Sequence, residues 1–220
     1  MPRIIERGAG RPIVVVPGLQ GRYEWGLPTV EALASLGHVV TFSLADEPTS
    51  GFAWSEPAGF ENYLTQLDDV IRATGFERPV IVGVSYGGLI AAEYAARHRG
   101  ALSALVVASA PPPTWRLPAR AVRYLKAPRL LAPVFWIGAP LRVYPELRAS
   151  LPEPRDRWQF VMGHGMTIAG APASAARMAR RLRWLESAAF SIDRPIDVPA
   201  LIVTGEPGLD VAHHGGHRRH

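Results

Sequence analysis

The sequence predicts an α/β fold in which a mostly parallel, twisted sheet carries helices on both faces. Short apolar runs rich in β-branched residues alternate with segments whose apolar residues recur at helical spacing. The first run, residues 12–17, holds Ile13 and three valines between two prolines, a pattern typical of a strand buried on both faces. Strands that alternate with helices form parallel βαβ units, which predicts this fold class.

The predicted elements follow one another in a regular order along residues 1–110. Strands are predicted at residues 12–17, 38–44, 79–84 and 102–108, with a fifth at 200–204. Helices are predicted at residues 23–36, 60–74 and 86–98. Gly37 and Gly75 follow the first two helices, as helix-ending glycines commonly do. We therefore expect residues 1–110 and 195–210 to form the core of the fold.

The segment formed by residues 111–194 breaks this order. It opens with three prolines, is rich in arginine and tryptophan, and is clearly helical over residues 177–185. Its aromatic content argues against a disordered linker, because disordered segments contain few aromatic residues. We predict that residues 111–194 form a helical lid inserted over the carboxyl edge of the sheet. Residues 211–220, composed mainly of His, Arg and Gly, are predicted to be an unstructured tail.

Composition excludes several kinds of site and partner. Cysteine is absent, which excludes disulfides, thiolate metal sites and a cysteine nucleophile. The net charge is +5, but a single lysine among 24 basic residues and the lack of a recognised motif argue against a nucleic-acid partner. No apolar segment reaches the ~20 residues of a membrane helix, and the first ten residues are no secretion signal. We expect a cytoplasmic protein without a metal site or a membrane segment; its oligomeric state stays open.

Residues 83–87 read GVSYG and match the pattern G-x-S-x-G. A predicted strand runs directly into this motif and a predicted helix runs directly out of it, which is the context that a nucleophile elbow requires. Such a turn lifts the hydroxyl of Ser85 above the sheet, while Gly83 and Gly87 leave room for the crossing strand and helix. The N–H groups at the start of the helix point toward the same place, where they can stabilise a developing oxyanion.

This motif, together with VVVPGLQG at 14–21 and PALIVTGEPGLD at 199–210, resembles the α/β-hydrolase superfamily, in particular its lid-bearing esterases and lactonases. The resemblance covers nearly all of residues 10–210. It implies hydrolysis of a small-molecule carboxylic ester, thioester or lactone through an acyl-enzyme on Ser85, without a cofactor. The N–H groups of Leu19 and Tyr86 would form the oxyanion hole, although Pro17 stands where the family usually has histidine. The haloalkane-cleaving branch uses an aspartate nucleophile, so Ser85 argues against that activity.

The resemblance also implies a triad acid after the last strand, where Asp210 lies at a longer spacing than the commonest one and Glu206 is the competing carboxylate. The triad histidine would come after a further helix and strand, which take roughly 20 to 30 residues. Only ten residues follow Asp210. We therefore expect a truncated or frame-shifted end and an impaired activity, unless His213 or His214 serves as the base.

The remaining histidines outside the tail are His38, His98 and His164. We expect them to have structural or substrate-contacting roles rather than to act as the base. Two alternatives to an ester hydrolase stay open on the sequence. One is a non-catalytic protein or fragment with the same fold, and the other is a hydrolase of C–C bonds.

Overall fold

The computed structural model describes residues 2–112, 115–137, 139–186 and 194–204. Within these ranges, six strands form one sheet. The strands are β1 (Ile4–Arg7), β2 (Pro12–Val16), β3 (His38–Phe42), β4 (Val80–Val84), β5 (Ala104–Ala108) and β6 (Ala200–Val203). Their order across the sheet is β1-β3-β2-β4-β5-β6. All neighbouring pairs are parallel except β1 and β3, which are antiparallel. The predicted mostly parallel sheet is confirmed.

Three helices come between the strands of the core. They are α1 (Leu27–Leu33), which follows a 3-10 turn (Tyr23–Gly26), α2 (Glu61–Thr74) and α3 (Tyr86–Arg97). Helix α2 ends at Gly75, whose φ of 67° lies in the left-handed region that glycine adopts without a steric penalty. The predicted helix at 23–36 is thus shorter than expected, because Pro28 suits the first turn of an α-helix and starts α1 there.

The central strand β2 has apolar neighbours on both faces of the sheet. Val14 and Val16 belong to the larger core cluster, which α2 and α3 complete. Ile13 and Val15 belong to a second cluster, which Val30 of α1 completes on the opposite face. Successive side chains of a strand point to opposite faces, so an unbroken apolar run requires cover on both. This strand has that cover, as its sequence predicted.

Residues 119–186 fold into a succession of helices. They are α4 (Ala119–Lys126), α5 (Pro128–Ile137), α6 (Ala139–Ser150), α7 (Pro154–Gly170) and α8 (Ala175–Glu186). Helices α4 and α8 share a third apolar cluster, in which Ala121 and Tyr124 pack with Ala179 and Leu182. Helix α7, by contrast, has no buried residue. Helix α8 is therefore the part of this segment that is most firmly joined to the rest of the molecule.

Strand β1 has no counterpart in the sequence prediction. It is four residues long, lies at the edge of the sheet, and is only partly buried at Ile4 and Ile5. A short edge strand of this kind lacks the apolar run or the alternation by which strands are recognised.

In the part of the chain that is described, no helix has both the length and the apolar character needed to cross a membrane.

Candidate active site

Ser85 occupies the sharp turn between β4 and α3, at the carboxyl edge of the sheet. Its backbone has φ 52° and ψ −117°, a conformation that residues with a side chain rarely adopt. Two hydrogen bonds hold the turn: the Ser85 N–H donates to Ala108 O at 2.8 Å, and the Gly88 N–H donates to Ser85 O at 2.9 Å. The backbone strain is thus imposed by β5 on one side and by the first turn of α3 on the other.

The glycines of the motif are explained by the close approach of three backbones. A Cβ atom on Gly83 would collide with the carbonyl of Gly87 and would lie 2.5 Å from the Cα of Gly88. A Cβ atom on Gly87 would collide with the carbonyl of Val16 and would lie 2.5 Å from that of Pro17. Since real Cβ atoms do not approach backbone atoms so closely, side chains at these two positions would push β4, α3 and the end of β2 apart.

The loop after β2 passes directly beside the elbow. A Cβ atom on Gly18 would lie 3.5 Å from the Cβ of Ser85, so the peptide between Gly18 and Leu19 is next to the nucleophile. Gly18 O accepts a hydrogen bond from the Gly21 N–H at 2.9 Å, which closes a tight turn. In a trans peptide the N–H and C=O point in opposite directions, so the Leu19 N–H points out of that turn. The Leu19 N–H makes no hydrogen bond to any described residue.

Tyr86 is the first residue of α3, and its side chain belongs to the core. The ring is buried and packs edge-on against Tyr63, with 5.9 Å between ring centroids. Burial raises the pKa of the Tyr86 phenol well above its ordinary value, and the neighbouring Tyr63 adds to the shift. Any role of Tyr86 in the site therefore falls to its backbone N–H, which is one of the groups at the start of α3 that point away from the helix.

The three described histidines have partners away from Ser85. His38 Nε2 lies 2.7 Å from Glu6 Oε2, at the amino end of β3. His98 stacks on Tyr94, and the ring of His164 lies edge-on against Trp25. The other predicted triad residues and their alternatives lie outside the described residues: Asp210, Glu206, His213 and His214.

Two further observations complete the site. The hydroxyl of Ser85 makes no hydrogen bond within the described part of the chain, and Ser85 itself is partly exposed. Across the same ranges no three His, Asp or Glu side chains come together as metal ligands would. The described arrangement is thus a strained serine at a sheet edge, beside a loop N–H and the start of a helix, which is suited to attack on a carbonyl and stabilisation of the resulting oxyanion.

Sequence reasoning missed one residue beside this loop, Arg181 of α8. It is fully buried and contacts the carbonyl oxygen of Leu19. A signal for it was present, because Arg181 falls between Met178 and Leu185 at helical spacing, on the apolar face of α8. An arginine on such a face is buried only when acidic or carbonyl groups meet it, and those groups lie far away in the sequence.

A family model for the α/β hydrolase family matches residues 13–219. The chain belongs to the α/β-hydrolase family. This confirms the resemblance that the motifs predicted. A segment of 70 residues is 40% identical to epoxide hydrolase 3 of Xenopus tropicalis; it represents 29% of this chain and 19% of that enzyme. The chain thus spans about a fifth of the length of this curated relative.

Solved structures of similar fold include enzymes of more than one kind. The enol-lactonase of Burkholderia xenovorans matches with a TM-score of 0.65 and 18% identity, over 92% of this chain and 77% of that chain. An esterase of Exiguobacterium antarcticum matches with a TM-score of 0.69 and 18% identity, over 90% of this chain and 75% of the esterase. A putative non-heme bromoperoxidase of Mycobacterium tuberculosis matches with a TM-score of 0.62 and 20% identity, over 92% of this chain and 76% of that protein. At this identity the likeness shows the fold alone.

Proposed function

We propose that this hydrolase cleaves a carboxylic ester, thioester or lactone through an acyl-enzyme formed on Ser85. The observation that carries the proposal is the backbone of Ser85, whose φ of 52° at the junction of β4 and α3 is the conformation of a nucleophile elbow. Ser109 shares the positive φ, but Ser85 is also the residue at the start of α3 and beside the loop after β2. This combination supports nucleophilic chemistry at Ser85.

In the proposed mechanism, the Ser85 hydroxyl attacks the substrate carbonyl while a base removes its proton. The carbonyl oxygen becomes an oxyanion that accepts hydrogen bonds from the Leu19 and Tyr86 N–H groups. Collapse of this intermediate expels an alcohol, a thiol or the ring oxygen of a lactone, which takes the proton from the base. Water then attacks the acyl-enzyme by the same route and releases the carboxylic acid. We propose Asp210 as the acid that orients the base.

The curated relative raises an epoxide as a rival substrate, and the chemistry of Ser85 argues against it. A serine oxygen that opened an epoxide ring would form an ether with the substrate carbon. An ether has no carbonyl for water to attack, so the enzyme would stay alkylated and would not turn over. A serine nucleophile therefore favours acyl substrates, from which an ester intermediate can be hydrolysed.

We also propose that the helices between residues 119 and 186 act as a lid for this site. Support comes from α8, which contacts the loop after β2 through Arg181, and from Leu19, which packs against the cluster formed by α4 and α8. A lid that excludes water strengthens the hydrogen bonds to an oxyanion, because the local dielectric constant falls. The size and shape of accepted acyl groups would then be set by this segment.

The proposal is tested with p-nitrophenyl acetate and with a fluorophosphonate that labels activated serines. We expect ester turnover, slow unless His213 or His214 serves as the base, and a single covalent label on Ser85; Ser85→Ala abolishes both. Ser109→Ala is the matched control, because Ser109 also has a positive φ of 51° and lies at the same edge of the sheet, after β5. Turnover that is equal in the wild type and in Ser85→Ala would refute the serine mechanism and favour a non-catalytic protein.

The base is identified in the same assay. His213→Ala and His214→Ala are compared with His164→Ala, since the ring of His164 contacts Trp25 rather than Ser85. A loss of about 10⁴-fold in turnover in one tail variant would identify the base, because an unassisted serine hydroxyl is a poor nucleophile. Unchanged turnover in both tail variants would exclude these two histidines.

A further inference from the structure

Arg181 is a buried cation that joins α8 to two loops of the core. Its Nη1 donates a hydrogen bond to Leu19 O at 2.7 Å. Its Nε and Nη2 donate to Asp46 Oδ1 at 3.1 and 2.5 Å, and Nη2 also donates to Glu47 Oε1 at 2.6 Å. None of its side-chain surface is exposed. Each of the three guanidinium nitrogens therefore donates to an acceptor, and one of these acceptors is in the loop beside Ser85.

The charges around Arg181 balance. Arg181 and Arg177 face Asp46 and Glu47; Arg177 Nη1 lies 3.5 Å from Glu47 Oε2. Burial alone would lower the pKa of Arg181, but the charges of Asp46 and Glu47 outweigh it and raise that pKa. The guanidinium stays charged and is held at a fixed place by three hydrogen-bonded partners. A group held in this way can in turn hold a peptide that contacts it.

The hydrogen bond to Leu19 O fixes the loop where its orientation matters. Of the two peptides that flank Leu19, the first is held by the bond from the Gly21 N–H to Gly18 O. The second is held by Arg181. Gly21 has φ 77°, and a Cβ atom there would overlap the guanidinium group, so the loop closes around Arg181. Gly21 O in turn accepts a hydrogen bond from the Leu44 N–H at 2.7 Å. With both flanking peptides fixed, the Leu19 N–H has one direction.

We infer that Arg181 is a positioning residue, which aims the Leu19 N–H at the oxyanion by holding the Leu19 carbonyl. The inference rests on the proposed function, since it assigns a purpose to the loop only if an oxyanion forms beside Ser85. A rival explanation is that the ion cluster only fastens α8 to the core. Apolar side chains of similar volume often stabilise a fold as well as a buried ion pair does, so stability alone does not require the charges.

The test distinguishes a positioning role of Arg181 from a purely stabilising one with variants that remove its charge together with those of Asp46 and Glu47. Arg181→Met alone would leave two buried carboxylates with too few partners, which commonly costs about 3–5 kcal/mol and could unfold the chain. The triple variant Arg181→Met, Asp46→Asn, Glu47→Gln avoids this by removing the three buried charges, and the Arg177 side chain that it leaves is 32% exposed to solvent. Arg181→Lys keeps a cation that can donate to Leu19 O. Arg180→Gln is the matched control on α8, because Arg180 is partly exposed and lies over Trp54 instead.

We expect the folded triple variant to lose about 10- to 100-fold in kcat for p-nitrophenyl acetate, with KM changed by less than about threefold. This is part of the loss that removal of a whole oxyanion donor causes. The affinity for a trifluoromethyl ketone, which forms an oxyanion on a serine, should fall in parallel. Arg181→Lys should recover part of both, and Arg180→Gln should match the wild type.

Two outcomes would overturn the inference, and they can be told apart. A folded triple variant with wild-type kcat and ketone affinity would show that Arg181 only fastens α8, while the proposed function stands. Wild-type turnover no greater than that of Ser85→Ala would refute the proposed function and the inference with it. If the triple variant is unfolded by circular dichroism, the double variant Arg181→Met, Asp46→Asn decides, because Glu47 keeps Arg177 as its partner. A reduced kcat at unchanged KM supports positioning, and a wild-type kcat refutes it.

Discussion

The close contact between β4, α3 and the end of β2 sets a steric limit on single positions around Ser85. Gly87 and Gly163 are both helical glycines, but a Cβ atom on Gly87 would collide with the carbonyl of Val16, whereas one on Gly163 would meet nothing within 4 Å. We expect Gly87→Ala to lower the free energy of unfolding by about 1–3 kcal/mol and to reduce acylation. Gly163→Ala should raise the free energy of unfolding by up to about 1 kcal/mol. Urea unfolding of both variants measures this, and equal effects would contradict the steric explanation.

A second prediction concerns the buried phenol of Tyr63. Burial, and after it the charge of Asp46, raises the pKa of Tyr63 far above its ordinary value near 10. In the unfolded chain the phenol loses its proton at about pH 10, while in the folded chain it keeps it. The free energy of unfolding should therefore fall as the pH rises above 10, by up to about 1.4 kcal/mol per pH unit for this group. In urea unfolding between pH 8 and 11, Tyr63→Phe should show a shallower decline; an unchanged slope would contradict the prediction.

Sequence reasoning found the residues of the site that a local pattern defines. Ser85, Tyr86 and the glycines lie within one five-residue motif, and Leu19 follows the first buried strand. It did not find Arg181, because Arg181 and its partner Asp46 are 135 residues apart and only folding brings them together. The role of Gly21 could not be found either, because the guanidinium that would overlap a side chain there comes from a distant helix.

The helices of residues 119–186 differ in how firmly they are attached. Helix α8 buries Met178, Ala179 and Leu182 along with Arg181, whereas α7 buries no residue and contains two internal glycines. A helix without buried contacts opens locally at little cost. We expect the amides of α7 to exchange with solvent at least about tenfold faster than those of α8, and those of α3 to be the slowest. Hydrogen exchange read by mass spectrometry measures this. Equal rates in α7 and α8 would mean that the segment opens as one unit.

The elements that could be predicted are those whose defining sequence pattern lies entirely within their own residues. Strand β2 is an unbroken apolar run, and α2 has an apolar face that ends at a glycine. Strand β1 could not be predicted, because its pairing with β3 depends on a partner more than thirty residues away. The extent of α1 depended on Pro28, whose effect on a helix start outweighed the apolar spacing of the preceding turn.

Among the described strands, β6 has its apolar side chains at the surface. Strand β6 pairs with β5, and its residues Leu201, Ile202 and Val203 are exposed, with Ile202 71% exposed. Exposed apolar residues on a strand at a sheet edge favour pairing between copies. We expect larger species at rising concentration in light-scattering chromatography, and fewer of them in Ile202→Lys. Leu36→Lys is the control, since Leu36 is 68% exposed but lies outside any strand. Equal association in both variants would contradict a role for β6.

The bond from Arg181 to Leu19 also has a consequence for the timing of a catalytic cycle. The guanidinium of Arg181 belongs to α8, which joins residues 119–186 to the core, and it also holds the loop after β2 beside the proposed oxyanion. The loop and α8 therefore cannot rearrange independently. Coupling of this kind is reciprocal: if docking of α8 favours oxyanion binding, then the oxyanion favours docking of α8 by the same free energy. An uncharged ester or alcohol would exert little of this effect. The proposed lid would be held most tightly while the tetrahedral intermediate exists and would loosen as that intermediate collapses to the acyl-enzyme, which leaves ester entry and alcohol departure unhindered.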